Sequence, residues 1–598
     1  MQSAISVKTR TATRPRVEGD FLLASSAPEE VFTREDLTDE QRMVGNTARE
    51  FFEREVAPRS NELEEFDPRL IRNLMGRAAE IGFLATEIPE SDGGLGLGIF
   101  PALLQVEQFA RHMSFGMAIV THTGIGSLPI VFFGDERQKR RYLPAIMSGE
   151  MVSAFALTEA HSGSDALASR TTATLDGSSR HYLLNGEKMW VTNGGIADLF
   201  IVFARVDGLH FTAFLVERGW PGVSLDAEES KMGMRGSSTR PLLLDNVAVP
   251  VENVLGEVGA GHKVAFGTLN VCRTKLGAGL VGASKEILAL SAAYSRERKA
   301  FGKRIAEFEL IREKLARMTA RIYAAESLVY RTAGLLAENL TRLSANGAGG
   351  IGFATESSIV KVFTSETLDF VADEGVQIHG SNGYSSHYAV ERFYRDARIN
   401  RIFEGTNEIH RLLIPERLLK LAQSGDLPLQ KAAADAPSTI ESDRRWRANQ
   451  VDLLAVEHQL CERSRALAVT LLGAAVESFG KEIRSRQMLL AAISDVAIEA
   501  FAIDSVLLRT EKAMGRRSWT DGSSSDEIRI NAAKLFVREA FDRASQSALR
   551  AAGMIASAQP NSALETAVYR LATAPMTDCA SLCNSVSSAV SASGGYPF

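Results

Sequence analysis

The segment Arg401-Ile402-Phe403-Glu404-Gly405-Thr406-Asn407 sets one glutamate between two apolar residues and a glycine. Apolar neighbours would strip water from the carboxylate and lift its pKa from the usual value of about 4.3 toward neutrality. That suits a group whose task is to take a proton. Gly405 would let the backbone approach a ligand closely. The same residues can also be read as a solvated ion pair between Glu404 and Arg401 or Arg398. A second segment, 155–165, passes from a strand-like start into Thr158, Ser162, Gly163 and Ser164. Such a loop offers many donors to a polar ligand, and is equally an ordinary strand-to-loop transition. Trp190, in Lys188-Met189-Trp190-Val191-Thr192, could stack beside a planar ring, although its local pattern reads as core. Gly277-Ala278-Gly279-Leu280-Val281-Gly282 matches the dinucleotide-binding spacing, but no buried strand precedes it. Tight helix packing explains these small residues better, and nicotinamide binding is rejected. No zinc-type Cys/His spacing and no Gly-x-Ser-x-Gly elbow occurs, so neither a metal site nor a serine hydrolase is expected.

These widely separated segments need a scaffold that brings them together. At 598 residues the chain is too long for a single core. Residues 1–35 form an N-terminal extension. Its start carries Lys8, Arg10, Arg14 and Arg16 with no acid before Glu18, which predicts a short disordered tail, a cleaved transit peptide being the alternative. Residues 36–150 read as helices, with caps at Leu37-Thr38-Asp39 and helical spacing through Phe51, Phe52 and Val56. Residues 151–262 hold short apolar runs punctuated by Asn185-Gly186 and Asn193-Gly194-Gly195, the pattern of an antiparallel β domain. Amphipathic helices return over 263–415. Residues 416–443, with Gly425, Pro428 and Pro437, read as a linker, and 444–598 as a further helical domain. The fold class is therefore mostly α with a central β domain, plus an extra C-terminal helical domain. A composition of 45% hydrophobic and 23% charged residues with a net charge of -6 gives no general attraction to nucleic acid. No apolar run of eighteen residues exists, so no integral membrane span is expected. Cys579 and Cys583 read as helix packing, and four cysteines in all point to a reducing compartment. A bacterial cytoplasm is expected, the mitochondrial matrix being the alternative.

Taken together, the motifs resemble the acyl-CoA dehydrogenase family over residues 36–415 in identity, order and spacing. The matching pieces are Leu157-Thr158-Glu159 with Gly163-Ser164-Asp165, and Asn185-Gly186-Glu187-Lys188-Met189-Trp190-Val191-Thr192-Asn193-Gly194-Gly195. Further on come Arg298-Lys299-Ala300-Phe301-Gly302-Lys303, Gln377-Ile378-His379-Gly380-Ser381-Asn382-Gly383, and Arg395-Asp396-Ala397-Arg398 leading into Phe403-Glu404-Gly405-Thr406. The C-terminal helical domain and residues 310–318 resemble the very-long-chain branch.

The resemblance implies an α–β–α dehydrogenase fold, FAD as cofactor, and oxidation of a fatty acyl-CoA to the trans-2-enoyl-CoA in fatty acid β-oxidation. In the family a glutamate removes the α-proton while a β-hydride moves to the flavin, and motif matching gives that role to Glu404. The thioester carbonyl is held by that glutamate's N–H and a flavin hydroxyl. Some branches take the base from the helix that here carries Asn270 to Arg273. The position there is Cys272, which is not an acid, in keeping with Glu404. Matching also sets Phe155, Leu157, Thr158, Gly163, Ser164, Trp190 and Thr192 along the flavin, with Thr406 and Glu408 near its adenine diphosphate end. Arg298, Phe301, Gln377, Gly380 and Ser381 fall in segments that reach FAD across a subunit interface. Ser164, Asn270, Arg273 and Gly405 match substrate positions, Arg273 as a partner for CoA phosphates.

A homo-oligomer follows, with a dimer favoured and an electron-transferring flavoprotein as acceptor. The chain departs from the family at Ala160-His161, where a proline pair is usual, and at His379 and Ser381. Residues 416–443 are too short for the membrane-attaching stretch of the very-long-chain branch, so that property is not carried over. Two alternatives share the fold: an acyl-CoA oxidase, and a non-catalytic flavoprotein that binds DNA. Against the latter, residues 444–590 show balanced charge and no concentrated basic face. Chain-length preference depends on helix packing around 99–130 and is not legible here.

Overall fold

The computed structural model describes residues 16–23, 25–346, 351–442, 453–515 and 524–598. The basic start of the chain, with Lys8, Arg10 and Arg14, lies outside them. The first helical layer begins at Asp39–Phe51, where Thr38 and Gln41 exchange side-chain and backbone hydrogen bonds as a capping box. Helices Pro68–Glu80, Ile99–Phe109 and Met113–Thr121 follow. They close around Phe51, Phe83, Phe109 and Phe115, whose rings meet edge to face or stacked at 5.4–6.3 Å.

An eight-stranded sheet comes next: β1 (Ser153–Ala156), β2 (Thr172–Leu175), β3 (His181–Thr192), β4 (Leu199–Val206), β5 (His210–Glu217), β6 (Val223–Leu225), β7 (Thr239–Pro250) and β8 (Val254–Leu255). Its order is β6-β7-β3-β2-β4-β5-β8, with β1 beside β4. Two sequence expectations change. The sheet is mixed, because β1 and β2 both run parallel to β4. Asn185-Gly186 is not a hairpin turn but a register shift inside β3, whose twelve residues pair with β7 on both sides of it. There Gly186 has a φ of +154°, and a Cβ would stand 2.5 Å from Thr171 Oγ1. A glycine therefore makes a bulge rather than a turn.

Of the remaining helices, Gly261–Glu297 packs against β5 and the others pack on one another. The glycine run lies in helix Gly261–Glu297, as tight packing predicts: a Cβ at Gly282 would be 1.9 Å from Glu107 O, and one at Gly277 2.6 Å from Val360 Cγ1. Helices Glu309–Asn346 and Ala354–His379 pack on it, and helix Asn407–Ser424 closes the layer. Two helical runs, Met113–Phe133 and Gly261–Glu297, are long and apolar enough to cross a membrane, but 67% and 72% of their apolar windows are buried in the fold. They are core helices.

Residues 416–443 do not form a linker in their described part. Helix Asn407–Ser424 runs through the first of them and stops at Gly425 (φ +84°), and helix Leu429–Ser442 starts directly after Pro428. The glycine and proline that read as loop are helix stop and start residues. Leu427 and Leu429 are buried. The N-terminal extension is likewise folded from residue 16 onward. Glu18 accepts hydrogen bonds from Thr355 N and Oγ1 and from Arg417 Nε and Nη2, at 2.7–3.0 Å. Phe21 packs against Phe501 at 4.8 Å. Helices Ala455–Phe479, Gln487–Gly515 and Ser524–Ala558 form the C-terminal domain, and Cys579–Ser593 lies along Glu309–Asn346. Its cysteines are free thiols, as helix packing predicts.

Candidate active site

The chain reaches Glu404 through a short 3-10 turn, Arg398–Arg401, and leaves it into helix Asn407–Ser424, whose first turn Thr406 caps by accepting from Ile409 N at 3.3 Å. Between them Glu404 has a φ of +60° and Gly405 of +90°. Left-handed backbone is uncommon for a residue with a Cβ and persists only where surrounding contacts enforce it. At Gly405 a Cβ would stand 2.9 Å from His410 Nε2, so glycine is required on two grounds. Arg401 pairs with Asp369 at 3.0 Å rather than with Glu404. One Glu404 carboxylate oxygen is sealed from solvent and accepts no hydrogen bond. Burial raises its pKa, and nearby Arg273 and Lys361 limit the rise.

Glu404 lines a cavity of about 1570 Å³. Gly405, Asn270, Cys272 and Arg273 share its wall, and Phe155, Leu157, Thr158, Gly163, Ser164, Trp190 and Thr192 complete it from the sheet. Trp190 is 55% exposed, which overturns its local reading as core. The cause is a second register shift in β3, between Lys188 and Val191, where Trp190 takes a φ of +58° and turns out of the sheet. Facing it, the 157–165 loop is tied down by a buried carboxylate. Glu159 accepts from Lys188 Nζ (2.6 Å), Ser169 Oγ (2.5 Å), Thr171 Oγ1 (2.6 Å) and Arg170 N (2.6 Å). Burial opposes its ionisation, but Lys188 and the hydroxyls win and hold it at about 2, while burial lowers Lys188 to about 8. Lys188 Nζ also donates to Leu157 O, so one ion pair sets the start of the loop.

The cavity exceeds the roughly 300–1,000 Å³ of an ordinary small-molecule pocket, leaving room for a dinucleotide beside a second ligand. An exposed indole, an apolar wall of Phe155 and Leu157, and hydroxyls of Thr158, Ser164 and Thr192 fit a planar ring with polar edges such as a flavin.

Other expected site residues lie elsewhere. Thr406 spends its hydroxyl on the helix cap, and Glu408 is exposed in the first turn beside it. Arg298, Phe301, Gln377, Gly380 and Ser381 are all on the surface. Tyr294 links their segments: its carbonyl accepts from Arg298 N at 2.9 Å, its ring stacks on His379 at 4.2 Å, and its hydroxyl accepts from Asn382 at 3.1 Å. Phe301 there is 96% exposed. Arg273 differs from its expected role. It is 6% exposed, with Nε donating to Glu404 O and Nη1 to Asn270 Oδ1, both at 3.2 Å. A guanidinium so engaged stands beside the carboxylate rather than at a solvent-facing phosphate position. Sequence reading also missed Lys361 and His410, which contact the Glu404–Gly405 backbone. For Lys361 a signal existed: a lysine inside the apolar run Ile359-Val360-Lys361-Val362-Phe363 must have a buried partner.

Comparison with known proteins bears on this arrangement. Family models described as the N-terminal, middle and C-terminal domains of acyl-CoA dehydrogenase match residues 38–150, 154–247 and 259–419, and a further C-terminal domain model matches 463–566. The probable acyl-CoA dehydrogenase of Bacillus subtilis is 44% identical over 532 residues, covering 88% of this chain and 89% of that one. The human mitochondrial very long-chain specific acyl-CoA dehydrogenase is 37% identical over 462 residues, covering 73% and 69%. Among solved structures, an acyl-CoA dehydrogenase from Bacillus anthracis complexed with FAD superposes with a TM-score of 0.91 at 38% identity, over 97% of this chain and 100% of that one.

Proposed function

Because the chain belongs to the acyl-CoA dehydrogenase family and is an FAD-dependent oxidoreductase, we propose that it converts a fatty acyl-CoA to the trans-2-enoyl-CoA with Glu404 as the α-proton base. FAD, when bound, supplies the acceptor for the β-hydrogen and its electron pair. The observation that carries this reading is Glu404 itself: a carboxylate in the cavity wall, one oxygen dry and unpartnered, in the same cavity as an exposed indole. Desolvation makes it a stronger base than in water, and Arg273 and Lys361 keep it ionisable. Neither Glu404 N–H nor Gly405 N–H meets a hydrogen-bond acceptor among the described residues. The Glu404 N–H suits the thioester oxygen, where negative charge develops as the α-proton leaves. That proton ends on the Glu404 carboxylate. Met117, Val120, Ile125, Phe132 and Leu276 offer apolar lining for an acyl chain, and exposed Lys263 is a cation in the lining suited to CoA phosphates, whereas Lys139 and Arg417 there pair with Asp92 and Glu18.

Turnover of acyl-CoAs of graded length with an artificial electron acceptor tests the reaction and reads the preferred chain. Glu404→Gln should keep its yellow flavin and lose turnover; normal turnover in that variant would remove Glu404 as the base. Peroxide formed one for one with enoyl-CoA would instead identify an oxidase, whereas reduction of an electron-transferring flavoprotein supports the dehydrogenase. The surface that gathers Arg298, Phe301, Gln377, Gly380 and Ser381 also carries Tyr384, 91% exposed. Such aromatic exposure suits coverage by a second copy of the chain. Light scattering at the mass of a single chain, 64.9 kDa, would refute the dimer.

A further inference from the structure

The two carbonyls that flank Gly405 are both held from behind by buried side chains. Glu404 O accepts from Arg273 Nε at 3.2 Å and from His410 Nε2 at 3.0 Å. Gly405 O accepts from Lys361 Nζ at 2.6 Å, and Lys361 donates also to Asn407 Oδ1 at 2.8 Å. Asn407 in turn donates to Ser365 Oγ and Glu366 Oε1, which ties the start of helix Asn407–Ser424 to the lysine's own helix, Ala354–His379. His410 is fully buried and its Nδ1 has no partner. A ring bonded to a carbonyl through Nε2 must carry its proton there, so it is the neutral Nε2–H tautomer. Burial, with Arg273 and Lys361 nearby, keeps the ring from taking a second proton.

A trans peptide points its C=O and N–H in opposite directions. Pinning Glu404 O on the His410 side therefore turns Gly405 N–H to the other side. Glu404 N–H belongs to the same left-handed turn, at φ +60° and +90°, and keeps its direction only while that turn is held. Both groups are free of acceptors among the described residues. We propose that His410 and Lys361 are positioning residues: by holding the Glu404 and Gly405 carbonyls they keep the strained turn at 404–405 in place, and with it the Glu404 N–H that meets the thioester oxygen. This rests on the reading of Glu404 as the substrate-facing base.

The test is made on FAD-loaded enzyme with a chromophoric α,β-unsaturated acyl-CoA, whose absorption moves to the red as its thioester carbonyl is polarised. His410→Leu removes the donor, whereas His410→Gln retains an N–H at similar reach. The leucine variant should lose most of the red shift and about ten- to a hundredfold in kcat, with KM little changed. Glutamine should restore most of both. Full red shift and full kcat in His410→Leu would overturn the proposal. So would a glutamine variant as defective as leucine although it binds FAD and melts like the parent, because packing alone would then explain the residue. Should leucine at 410 prevent folding, Lys361→Met is read the same way and an unchanged red shift overturns the proposal equally. Glu404→Gln separates the two readings: it keeps the backbone donors, so the red shift should survive while turnover is lost. Turnover in Glu404→Gln would sink the base assignment, and its spectrum would still report on the donors.

Discussion

Two glutamates, Glu326 fully buried and Glu404 half-buried in the cavity wall, carry opposite assignments in this molecule. Glu326, on helix Glu309–Asn346, is 0% exposed and meets Arg34 Nη1 at 2.9 Å, Arg509 Nη2 at 2.7 Å, the Tyr596 hydroxyl at 2.9 Å, and Lys285. Burial alone would raise its pKa, but Lys285, Arg34 and Arg509 overcome it and hold the carboxyl well below its ordinary value. Glu404 has Arg273 and Lys361 nearby, yet neither side chain bonds its carboxylate; both are turned to backbone carbonyls. Its pKa is raised. Burial does not by itself decide the state of a carboxylate. What separates these two is whether donors reach the oxygens, and around Glu404 they are spent on the backbone instead. One site is a clamp joining the N-terminal strap, the dehydrogenase helices and the C-terminal domain. The other is left able to take a proton.

The comparison breaks most visibly at Glu404. Glu404→Gln should lower kcat by roughly a thousandfold or more, since a positioned base contributes about two to four powers of ten. The same variant should unfold no more easily than the parent at neutral pH. The sign follows from linkage: a carboxyl with a raised folded pKa costs stability as pH rises and it ionises, and glutamine removes that cost. Glu326→Gln should do the reverse. It strips three buried cations of a shared carboxylate, leaving Arg34 and Lys285 only Glu107 and Arg509 only Glu35, a loss of up to about 3–5 kcal/mol, read as a fall in denaturant midpoint, with turnover per folded enzyme nearly unchanged. If Glu326→Gln reduces kcat without reducing stability, the distinction between the two sites is wrong. Acid unfolding sharpens it. Glu35, which shares Arg509 with Glu326, is held at about 2 against an unperturbed value of 4.5, by Arg509 and Arg529 working against burial. A depressed folded pKa gives stability that is complete above about 4.5 and lost as pH falls toward 2, so the clamp should fail in that window.

How much of this was legible in the sequence differs between the two sites. Glu404 was visible through its motif, but its local pattern reads first as that of a surface ion pair. The pairing of Arg401 with Asp369, which decides the matter, comes from a helix brought in by the tertiary fold. The order of helical and β segments was readable from periodicity. A bulge is not periodic, so Trp190 read as core and Asn185-Gly186 as a turn. Gly425 and Pro428 were recognised as punctuation, but punctuation marks the end of a helix as readily as a linker. The Glu326 clamp was invisible, because its partners at 34, 285, 509 and 596 have no spacing to recognise. Long-range charge pairing leaves no local pattern.

Smaller effects probe how finely the Glu404 environment is set. Trp190→Ala should weaken FAD binding by roughly tenfold, the scale of one lost aromatic contact, and flavin retention on dilution measures it. Lys361→Met bears on the charge balance itself. Burial pulls Lys361 down to about 7, with Arg273 lowering it further and Glu404, Glu366 and Glu408 opposing, so near neutrality it is only partly charged. Whatever positive charge remains favours ionised Glu404, and replacing it with an apolar side chain should push the glutamate's pKa up. The acid limb of the kcat/KM profile, which reports a base that must be deprotonated, should then move to higher pH by up to about one unit. A limb that stays put would mean that Arg273 alone tempers Glu404 and that the lysine acts only through the Gly405 carbonyl. A limb that moves to lower pH would contradict the electrostatic account of the site, since loss of a neighbouring cation cannot stabilise a carboxylate.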